Sequence, residues 1–428
     1  MPRARQCNSR AALLSRDVST IVFVLAFVSC VFFAAQIGFA QTFTVIHNFT
    51  GEADGSNPVA GLVFDARGNL YGTADTGGRG NCSPQNGCGV VFKMSHAGSG
   101  FIFSTLYSFL GGNDGAGPYG RVVIGSNGSL YGGTVGGGSI NCPGGCGTVY
   151  NLRPPPTACA SVSCPWQETV LYRFQGSPDA FYPTGDLIFD QAGALYGTTY
   201  VGGTGGPGTV YKLTPSGGGW SESVIYSLTG GNDGGNPYGG VVFDNNGNLY
   251  CSALAGAMNG NGAVFELSPS GSGWTEHTLH DFDRTDGTGP QAGLLFAAGA
   301  LFGATVNGGT DNAGTVYEFT PSGGGWTFNS IFSFTDTGTG GPFAKLTMDA
   351  SGNLYGATQG GAPGNFCTVI KLTPSGSGWT ETVLYQFTGG TDGSVPMGSV
   401  IVDASGKVYG TTFQGGALGK GVVFEITP

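Results

Sequence analysis

Seven aspartates recur at one position of an internal repeat, and they are the most numerous side chains that could bind a ligand. Several lie in a Gly-Gly-x-Asp-Gly loop, such as residues 111–115 and 389–393. A ring of carboxylates could bind Ca²⁺ or accept hydrogen bonds from sugar hydroxyls. We favour the alternative that each Asp forms a tight turn, because no loop has the alternating Asp-x-Asp-x-Asp ligands of a calcium loop. The seven are Asp54, Asp114, Asp179, Asp233, Asp286, Asp336 and Asp392.

The densest acidic cluster of the chain is the candidate metal site. Asp281, Asp283 and Asp286 lie within six residues of one another. Carboxylate oxygens are the ligands that Ca²⁺ prefers. No cofactor is otherwise predicted, so Ca²⁺ at this cluster is the one ion that the sequence points to.

Five tryptophans share one position of the repeat and could stack on sugars. Equivalent aromatic side chains in successive repeats would give multivalent glycan binding. The alternative, which we favour, is that each indole packs the same place in every repeat. The five are Trp166, Trp220, Trp274, Trp326 and Trp379, and Phe101 holds the sixth copy of the position.

The sequence contains no catalytic motif. His47 and His280 align with tyrosines of other repeats and are interpreted as packing rings, and no nucleophile elbow, zinc-protease helix or phosphate loop is present. A glycosidase needs only two carboxylates at a set distance, so a hydrolase or lyase stays an alternative. Its carboxylates would be unrepeated ones such as Asp75, Asp179, Asp186 and Asp311.

The elements that must position these side chains are short strands. Glycine (83) and proline (22) make up about a quarter of the 428 residues, which excludes a helical protein, while 40% hydrophobic residues exclude a disordered one. A Leu-Tyr-Gly column recurs at intervals of 60, 65, 54, 52, 53 and 54 residues. Each interval contains four β-like runs, the composition of a propeller blade. The column is Tyr71, Tyr131, Tyr196, Tyr250, Phe302, Tyr355 and Tyr409.

We therefore predict an all-β fold, a seven-bladed β-propeller of four-stranded antiparallel blades. Residues 43–49 resemble the fourth run of a blade, whereas the chain stops after a third run. The N-terminal strand should therefore complete the last blade and close the ring, which removes an open sheet edge. An open solenoid is the alternative, but it would need capping repeats and the terminal copies are ordinary.

Residues 1–40 have the pattern of a signal peptide, which leaves residues 41–428 as a single propeller domain. Four arginines precede an uncharged run from Ile21 to Ala35, and Gly38-Phe39-Ala40 is typical of a cleavage site. An uncleaved membrane anchor is the alternative. Cleavage changes the formal charge from −10 to −13, which argues against a nucleic-acid partner. We expect a secreted, periplasmic or cell-surface protein that is monomeric and not membrane-bound after cleavage.

Three close cysteine pairs are predicted to form disulfides in an oxidising compartment. A zinc site is the alternative for the first four cysteines. Cys251 and Cys367 lie inside strand patterns and are expected to be buried free thiols. The predicted pairs are Cys82 with Cys88, Cys142 with Cys146, and Cys159 with Cys164.

The amino-acid sequence of the repeat resembles the GloVer (Gloeo/Verruco) tandem repeats of exported bacterial proteins. The motifs that carry this resemblance are Gly-Asn-Leu-Tyr-Gly-Thr at 68–73, Gly-Thr-Val-Tyr-Lys-Leu-Thr-Pro-Ser-Gly at 208–217, and Leu-Tyr-Gln-Phe-Thr-Gly-Gly-Thr-Asp-Gly at 384–393. The resemblance implies export and a repeat fold but no activity. Gly125 and Ala297 depart from it at the position of the hairpin Asp.

The function that we expect from the sequence is binding of an extracellular glycan or cell-surface partner through the glycine-rich loop face. Functional residues favour loops that a rigid scaffold holds in place. A carbohydrate-active hydrolase or lyase is one alternative, and a structural or adhesion protein without a discrete pocket is another. Repeated residues at the site would favour a multivalent binder, and unrepeated polar residues gathered in one pocket would favour an enzyme.

Overall fold

Seven antiparallel sheets form a seven-bladed β-propeller, as the repeat predicts. The computed structural model describes residues 41–82, 87–98, 100–156, 165–335, 340–358, 360, 367–376 and 378–428. The proposed signal peptide, Asp336 and the Cys159–Cys164 pair lie outside the described residues. The blades belong to one unit from Phe43 to Thr427.

The strands of each blade run in chain order from the axis outward. Blades 1 and 2 contain Val63–Phe64, Leu70–Ala74, Val90–Ala97 and Gly100–Ser108, then Val123–Ile124, Leu130–Gly136, Thr148–Arg153 and Gln167–Arg173. Blades 3 and 4 contain Ile188–Phe189, Leu195–Thr199, Thr209–Ser216 and Gly219–Ser227, then Val241–Phe243, Leu249–Ala253, Ala263–Ser270 and Gly273–Asp281. Blades 5 and 6 contain Leu295–Ala297, Ala300–Thr305, Thr315–Ser322 and Gly325–Ser333, then Thr347–Met348, Leu354–Thr358, Thr368–Ser375 and Gly378–Gln386.

Blade 7 closes the ring with the N-terminal strand. Its inner strands are Ile401–Val402, Val408–Thr412 and Val422–Thr427, and Thr42–Asn48 pairs with the last of these as the outer strand. The Phe43 ring stacks on Tyr385 of blade 6 at 3.8 Å, and Phe49 is fully buried. The predicted closure is therefore confirmed.

The loops between the blade strands contain a few short strands and a 3₁₀ turn. Ala116–Pro118 adds to the sheet of blade 2, and Ala180–Phe181 pairs with Val201–Gly202. A short 3₁₀ turn spans Gly112–Asp114. Within the described ranges, no helix is long and apolar enough to cross a membrane.

The hairpin between the first two strands is held by its aspartate. Asp244 accepts hydrogen bonds from the backbone N–H groups of Asn246 (2.8 Å) and Asn248 (2.9 Å), and the Tyr250 hydroxyl donates a further bond at 3.1 Å. The same bonds recur at Asp65, Asp190, Asp349 and Asp403. Asp therefore supplies the turn acceptor that an Asx-type hairpin needs.

Two blades lack the hairpin Asp, and in both of them the bond from the column residue to that Asp is also missing. Ala297 replaces Asp in blade 5, and there the column carries Phe302, which has no hydroxyl. Gly125 replaces Asp in blade 2, and Tyr131 has no carboxylate partner in its own hairpin. The tyrosine column is therefore a structural element of the blades.

Two disulfides join neighbouring loop residues. Cys82 bonds to Cys88 and Cys142 bonds to Cys146, as predicted. Disulfides persist in oxidising compartments, so they fit an extracellular environment. Cys251 is a buried free thiol, whereas the free Cys367 is only half-buried.

Candidate functional site

The loops of the propeller fall on two opposite faces. The hairpin face carries the turns between the first and second strands and between the third and fourth strands. The loop face carries the connections from the second to the third strand and from each fourth strand to the next blade. Each predicted site residue can therefore be assigned to one face.

The repeated loop-face aspartates bond within their own turns. Asp233 is 4% exposed and accepts hydrogen bonds from the Tyr226 hydroxyl at 2.9 Å, the Thr229 amide at 2.8 Å and the Thr229 hydroxyl at 2.5 Å. The same pair of donors, a fourth-strand side chain and a backbone amide, meets Asp54, Asp114, Asp179, Asp286 and Asp392. These carboxylates therefore stabilise turns.

The two histidines predicted to pack as rings also bond to loop-face aspartates. His47 stacks on Phe103 at 3.9 Å and bonds to Asp54 at 3.1 Å, and His280 stacks on Phe328 at 3.7 Å and bonds to Asp286 at 2.7 Å. Burial lowers the pKa of His47, although Asp54 opposes that shift. Each ring occupies a tyrosine position and uses a nitrogen where tyrosine uses its hydroxyl.

The predicted cation cluster does not converge. Asp283 accepts bonds from the amide and hydroxyl of Thr285 at 2.9 and 2.6 Å, while Asp286 bonds to His280. Asp281 approaches the Met258 amide at 3.5 Å. In the part of the chain that the structure describes, no three His, Cys, Asp or Glu side chains form a group that could hold a metal ion.

The tryptophans lie at the start of the fourth strands, on the hairpin face. Four of them pack edge-on against the column tyrosine of the preceding blade: Trp166 on Tyr71, Trp220 on Tyr131, Trp274 on Tyr196 and Trp326 on Tyr250, with ring centroids 6.5, 6.3, 6.3 and 5.4 Å apart. Trp379 packs in the cluster that contains Phe302. All five are half-buried, so each indole both joins two blades and keeps part of its surface in solvent.

Three neighbouring grooves open on the hairpin face beside Trp220, Trp274 and Trp326. They lie between blades 2 and 3, 3 and 4, and 4 and 5, with volumes of about 480, 670 and 570 Å³. The first two share Phe189, Asp190 and Gln191, and the last two share Asp244, Asn245 and Asn246. The grooves therefore form one continuous arc, which we call the tryptophan arc.

A fourth pocket lies at the propeller axis, on the loop face. Residues of one tripeptide from each blade line it, just ahead of the first strand, and the middle residue is Gly or Ala in all seven; Gly240 of blade 4 is the one member outside the lining. A Cβ added to Gly120 would lie 2.7 Å from the Gly185 carbonyl oxygen, and one added to Gly239 would lie 2.2 Å from the Gly293 nitrogen. Small residues are therefore required where neighbouring blades meet at the axis.

The third residue of this tripeptide is charged in only three blades. Arg121 donates from Nε to Asp186 Oδ2 at 2.8 Å and from its backbone N–H to Oδ1 at 2.9 Å. Lys345 faces the same pair. Burial, with a smaller contribution from Arg121, lowers the pKa of Lys345 to about 8, and Asp186 opposes the shift.

Two tyrosine hydroxyls add to the polar lining of the axial pocket, which also includes Thr184, Gln291 and Ser399. Tyr119 and Tyr238 are bonded to each other through their hydroxyl groups, and burial raises the pKa of both. Asp75 lies close enough to act on Tyr119, and burial raises the pKa of Asp75 to about 6. Of the four carboxylates predicted for a hydrolase or lyase, Asp186 lines the axis, Asp75 lies beside it, Asp179 holds a turn, and Asp311 is exposed.

Sequence reasoning named Asp186 but missed Arg121, Lys345, Tyr119 and Tyr238. The signal was available in the aligned repeats. The third position of the axial tripeptide is Gly or Ser in four copies and charged in three. Only the ring geometry shows that these seven positions face one another.

Replacing Lys345 by Met is expected to stabilise the protein by about 1–2 kcal/mol at pH 7. The reason is that the charged ammonium near Arg121 is partly desolvated in the folded state. The expected gain is about half of the free energy that corresponds to the pKa shift, because solvent screens the charge. The folded pKa is below the unfolded value, so the penalty is fully present below pH 8. It disappears as the pH rises toward about 10.5. Melting temperatures of both proteins at pH 7 and pH 10 test this. A gain at pH 10 as large as that at pH 7 would contradict it.

A family model, the Gloeobacter/Verrucomicrobia repeat, matches residues 30–190 and 182–424. The chain belongs to this repeat family. A search of curated proteins finds no match.

Solved structures similar to this repeat protein show the fold alone. A fungal alcohol oxidase of the AA5 family, in complex with copper, is 13% identical and superposes with a TM-score of 0.51 over 90% of this chain and 76% of that chain. A protein from Lactobacillus plantarum is 14% identical, with a TM-score of 0.50 over 82% and 98% of the two chains. A putative 6-phosphogluconolactonase from Bacteroides uniformis is 11% identical, with a TM-score of 0.49 over 82% and 88%.

Proposed function

We propose that this repeat protein is an exported binding protein that holds a neutral polysaccharide along the tryptophan arc. The observation that carries the proposal is the continuity of three grooves, each lined by one half-buried indole. The loop-face aspartates already accept hydrogen bonds within their own turns. We therefore place the glycan site on the hairpin face instead of the loop face. Export is supported by the two disulfides and by the pattern of residues 1–40.

The chemistry of the arc suits sugar rings. Indole faces supply apolar surface with a polar edge, which matches the apolar faces of a pyranose. The side chains of Gln191, Asn245 and Asn246 are exposed beside the indoles and offer both donors and acceptors to hydroxyl groups. Successive grooves would bind successive units of one chain, so weak contacts would add through effective concentration.

The charge of the arc favours a neutral polymer. Asp190, Asp244 and Glu266 line the grooves, and the chain as a whole has a formal charge of −10. An acidic polysaccharide would meet like charges along the arc, which costs affinity. Neutral glucans, mannans and xylans avoid this cost.

Binding of neutral polysaccharides to residues 41–428 tests the proposal. Replacing Trp274 by Ala is expected to weaken binding by about 30-fold, the effect of losing one buried aromatic anchor. The double variant Asn245→Ala/Asn246→Ala should also weaken binding, and its exposed side chains make it safe for folding. Affinity electrophoresis against neutral and acidic polymers measures both.

The matched control is Trp379→Ala, which alters the same blade position outside the arc. It should affect stability as Trp274→Ala does and leave binding unchanged. Equal loss of binding in both tryptophan variants, or binding of acidic polymers alone, would overturn the proposal.

A further inference from the structure

The axial pocket contains three charged side chains at a repeat position where the other four blades have Gly or Ser. Seven aligned positions lie around the propeller axis, and in blades 1, 4, 5 and 7 they are Gly61, Gly240, Gly293 and Ser399. Blades 2, 3 and 6 place Arg121, Asp186 and Lys345 there instead. These three departures meet at one point, although nothing in the hairpin or loop bonding of their blades depends on them.

Lys345 is the one cation of this group that forms no ion pair within the described part of the chain. Arg121 and Asp186 satisfy each other through two hydrogen bonds. Lys345 makes no hydrogen bond or ion pair with the residues that the structure describes, and Arg121 adds a second positive charge nearby. The charged side chains that line the pocket sum to +1 in a protein whose net charge is strongly negative, and Asp75 lies beside Tyr119 outside this lining. A single negative charge in the pocket would therefore restore the local balance.

The pocket also supplies a neutral donor. Tyr119 and Tyr238 share one hydrogen bond between their hydroxyl groups, and the Gln291 amide acts as a donor to Tyr238, so one of the two O–H groups is left to donate. The cavity measures about 70 Å³, which is room for roughly five waters and too little for a sugar ring. The size fits the terminal group of a ligand.

We propose that the axial pocket binds a carboxylate group, with its charge opposite Lys345 and an oxygen accepting from the Tyr119–Tyr238 hydroxyl pair. The net charge of +1 matches a monoanion better than a phosphate dianion. The carboxylate belongs either to a free short-chain acid or to an acidic sugar whose ring lies outside the pocket. The axial pocket lies on the loop face and the tryptophan arc on the hairpin face, so this site is independent of the polysaccharide proposal.

Binding should depend on pH through Lys345. The charged and titratable groups that face it are Arg121 and Asp186, with the Tyr119 and Tyr238 hydroxyls across the pocket and Asp75 beside Tyr119. Burial raises the pKa of Asp75 to about 6, so its charge changes little between about pH 7 and pH 9.5. The ammonium carries the charge that the carboxylate needs, and it deprotonates in the free protein above about pH 8. Affinity should therefore be full at pH 7 and fall at least several-fold by pH 9.5.

Titration calorimetry of residues 41–428 with sodium acetate, sodium glucuronate and inorganic phosphate tests the proposal. We expect a carboxylate to bind with a dissociation constant of about 1 mM, as suits so few contact atoms. Lys345→Met should weaken it at least about tenfold, while Lys420→Met, which removes an exposed lysine, should change nothing. Acetate binding would support recognition of the carboxylate alone, and glucuronate binding without acetate would support an acidic sugar.

Phosphate binding as tightly as either carboxylate would overturn the proposal, as would unchanged binding in Lys345→Met or no carboxylate binding at all. The variant is expected to melt at a higher temperature than the wild type, so lost binding with retained stability separates ligand recognition from misfolding.

Discussion

A protein that lacks residues 42–49 is expected to melt about 12 °C below the full chain. The deletion removes the outer strand of blade 7 and leaves Val422–Thr427 as an open edge. It also removes Phe49 and Phe43 from the core clusters that they join between blades. Losing one buried Phe costs about 3–5 kcal/mol, so the strand as a whole contributes about 10 kcal/mol. The entropy of unfolding of a chain this long converts that loss into about 12 °C.

Scanning calorimetry of chains that start at residue 41 and at residue 50 measures the effect. The matched control is a permuted chain in which residues 42–49 follow Pro428 through a Ser-Gly-Ser-Gly turn, as the third and fourth strands are joined in other blades. It should recover most of the lost stability. A truncated chain with an unchanged melting temperature would show that the N-terminal strand does not close the ring.

Replacing Asp233 by Ala is expected to lower the free energy of unfolding by about 3 kcal/mol. The substitution leaves the Tyr226 hydroxyl and the Thr229 amide without their acceptor, the carboxylate of Asp233, which is buried although residues 229–232 of the loop are exposed. Unsatisfied buried donors cost about 1–3 kcal/mol each. The melting temperature should fall by about 4 °C. Thermal and urea unfolding measure both quantities.

Asp311→Ala is the matched control, because this exposed loop aspartate makes no hydrogen bond to the residues that the structure describes. It should change stability by less than about 0.5 kcal/mol. The double variant Tyr226→Phe/Asp233→Ala should cost less than the sum of its single changes, since both remove one bond. If Asp233→Ala were as harmless as the control, the loop carboxylates would be free for a ligand and the turn interpretation would be wrong.

The fold could be predicted from the sequence because each blade repeats its own bonding groups. The hairpin Asp and the column Tyr are six residues apart and bond within one blade, so their pattern is visible without any tertiary information. Closure was predictable for a similar reason, since the first strand aligns with fourth strands and the last with third strands. Both inferences need only local periodicity.

The sites could not be predicted in the same way. The tryptophan column indicated either packing or sugar binding, and the structure shows that one indole surface packs on a neighbouring tyrosine while the rest lines a groove. The axial charges come from blades 2, 3 and 6, which are far apart along the chain. Nothing in their local sequence shows that they face one pocket. Only the angular position of each blade around the axis brings them together.

Hydrogen exchange of residues 41–428 with and without a neutral polysaccharide tests most directly whether the loop-face aspartates form the scaffold while the tryptophan arc binds the ligand. We predict added protection at residues 124–127, 189–193, 243–248 and 321–326, which line the three grooves. Loop-face segments such as residues 109–117 and 228–236 should exchange as they do without ligand. Protection confined to those loop-face segments, with the arc unchanged, would contradict the account.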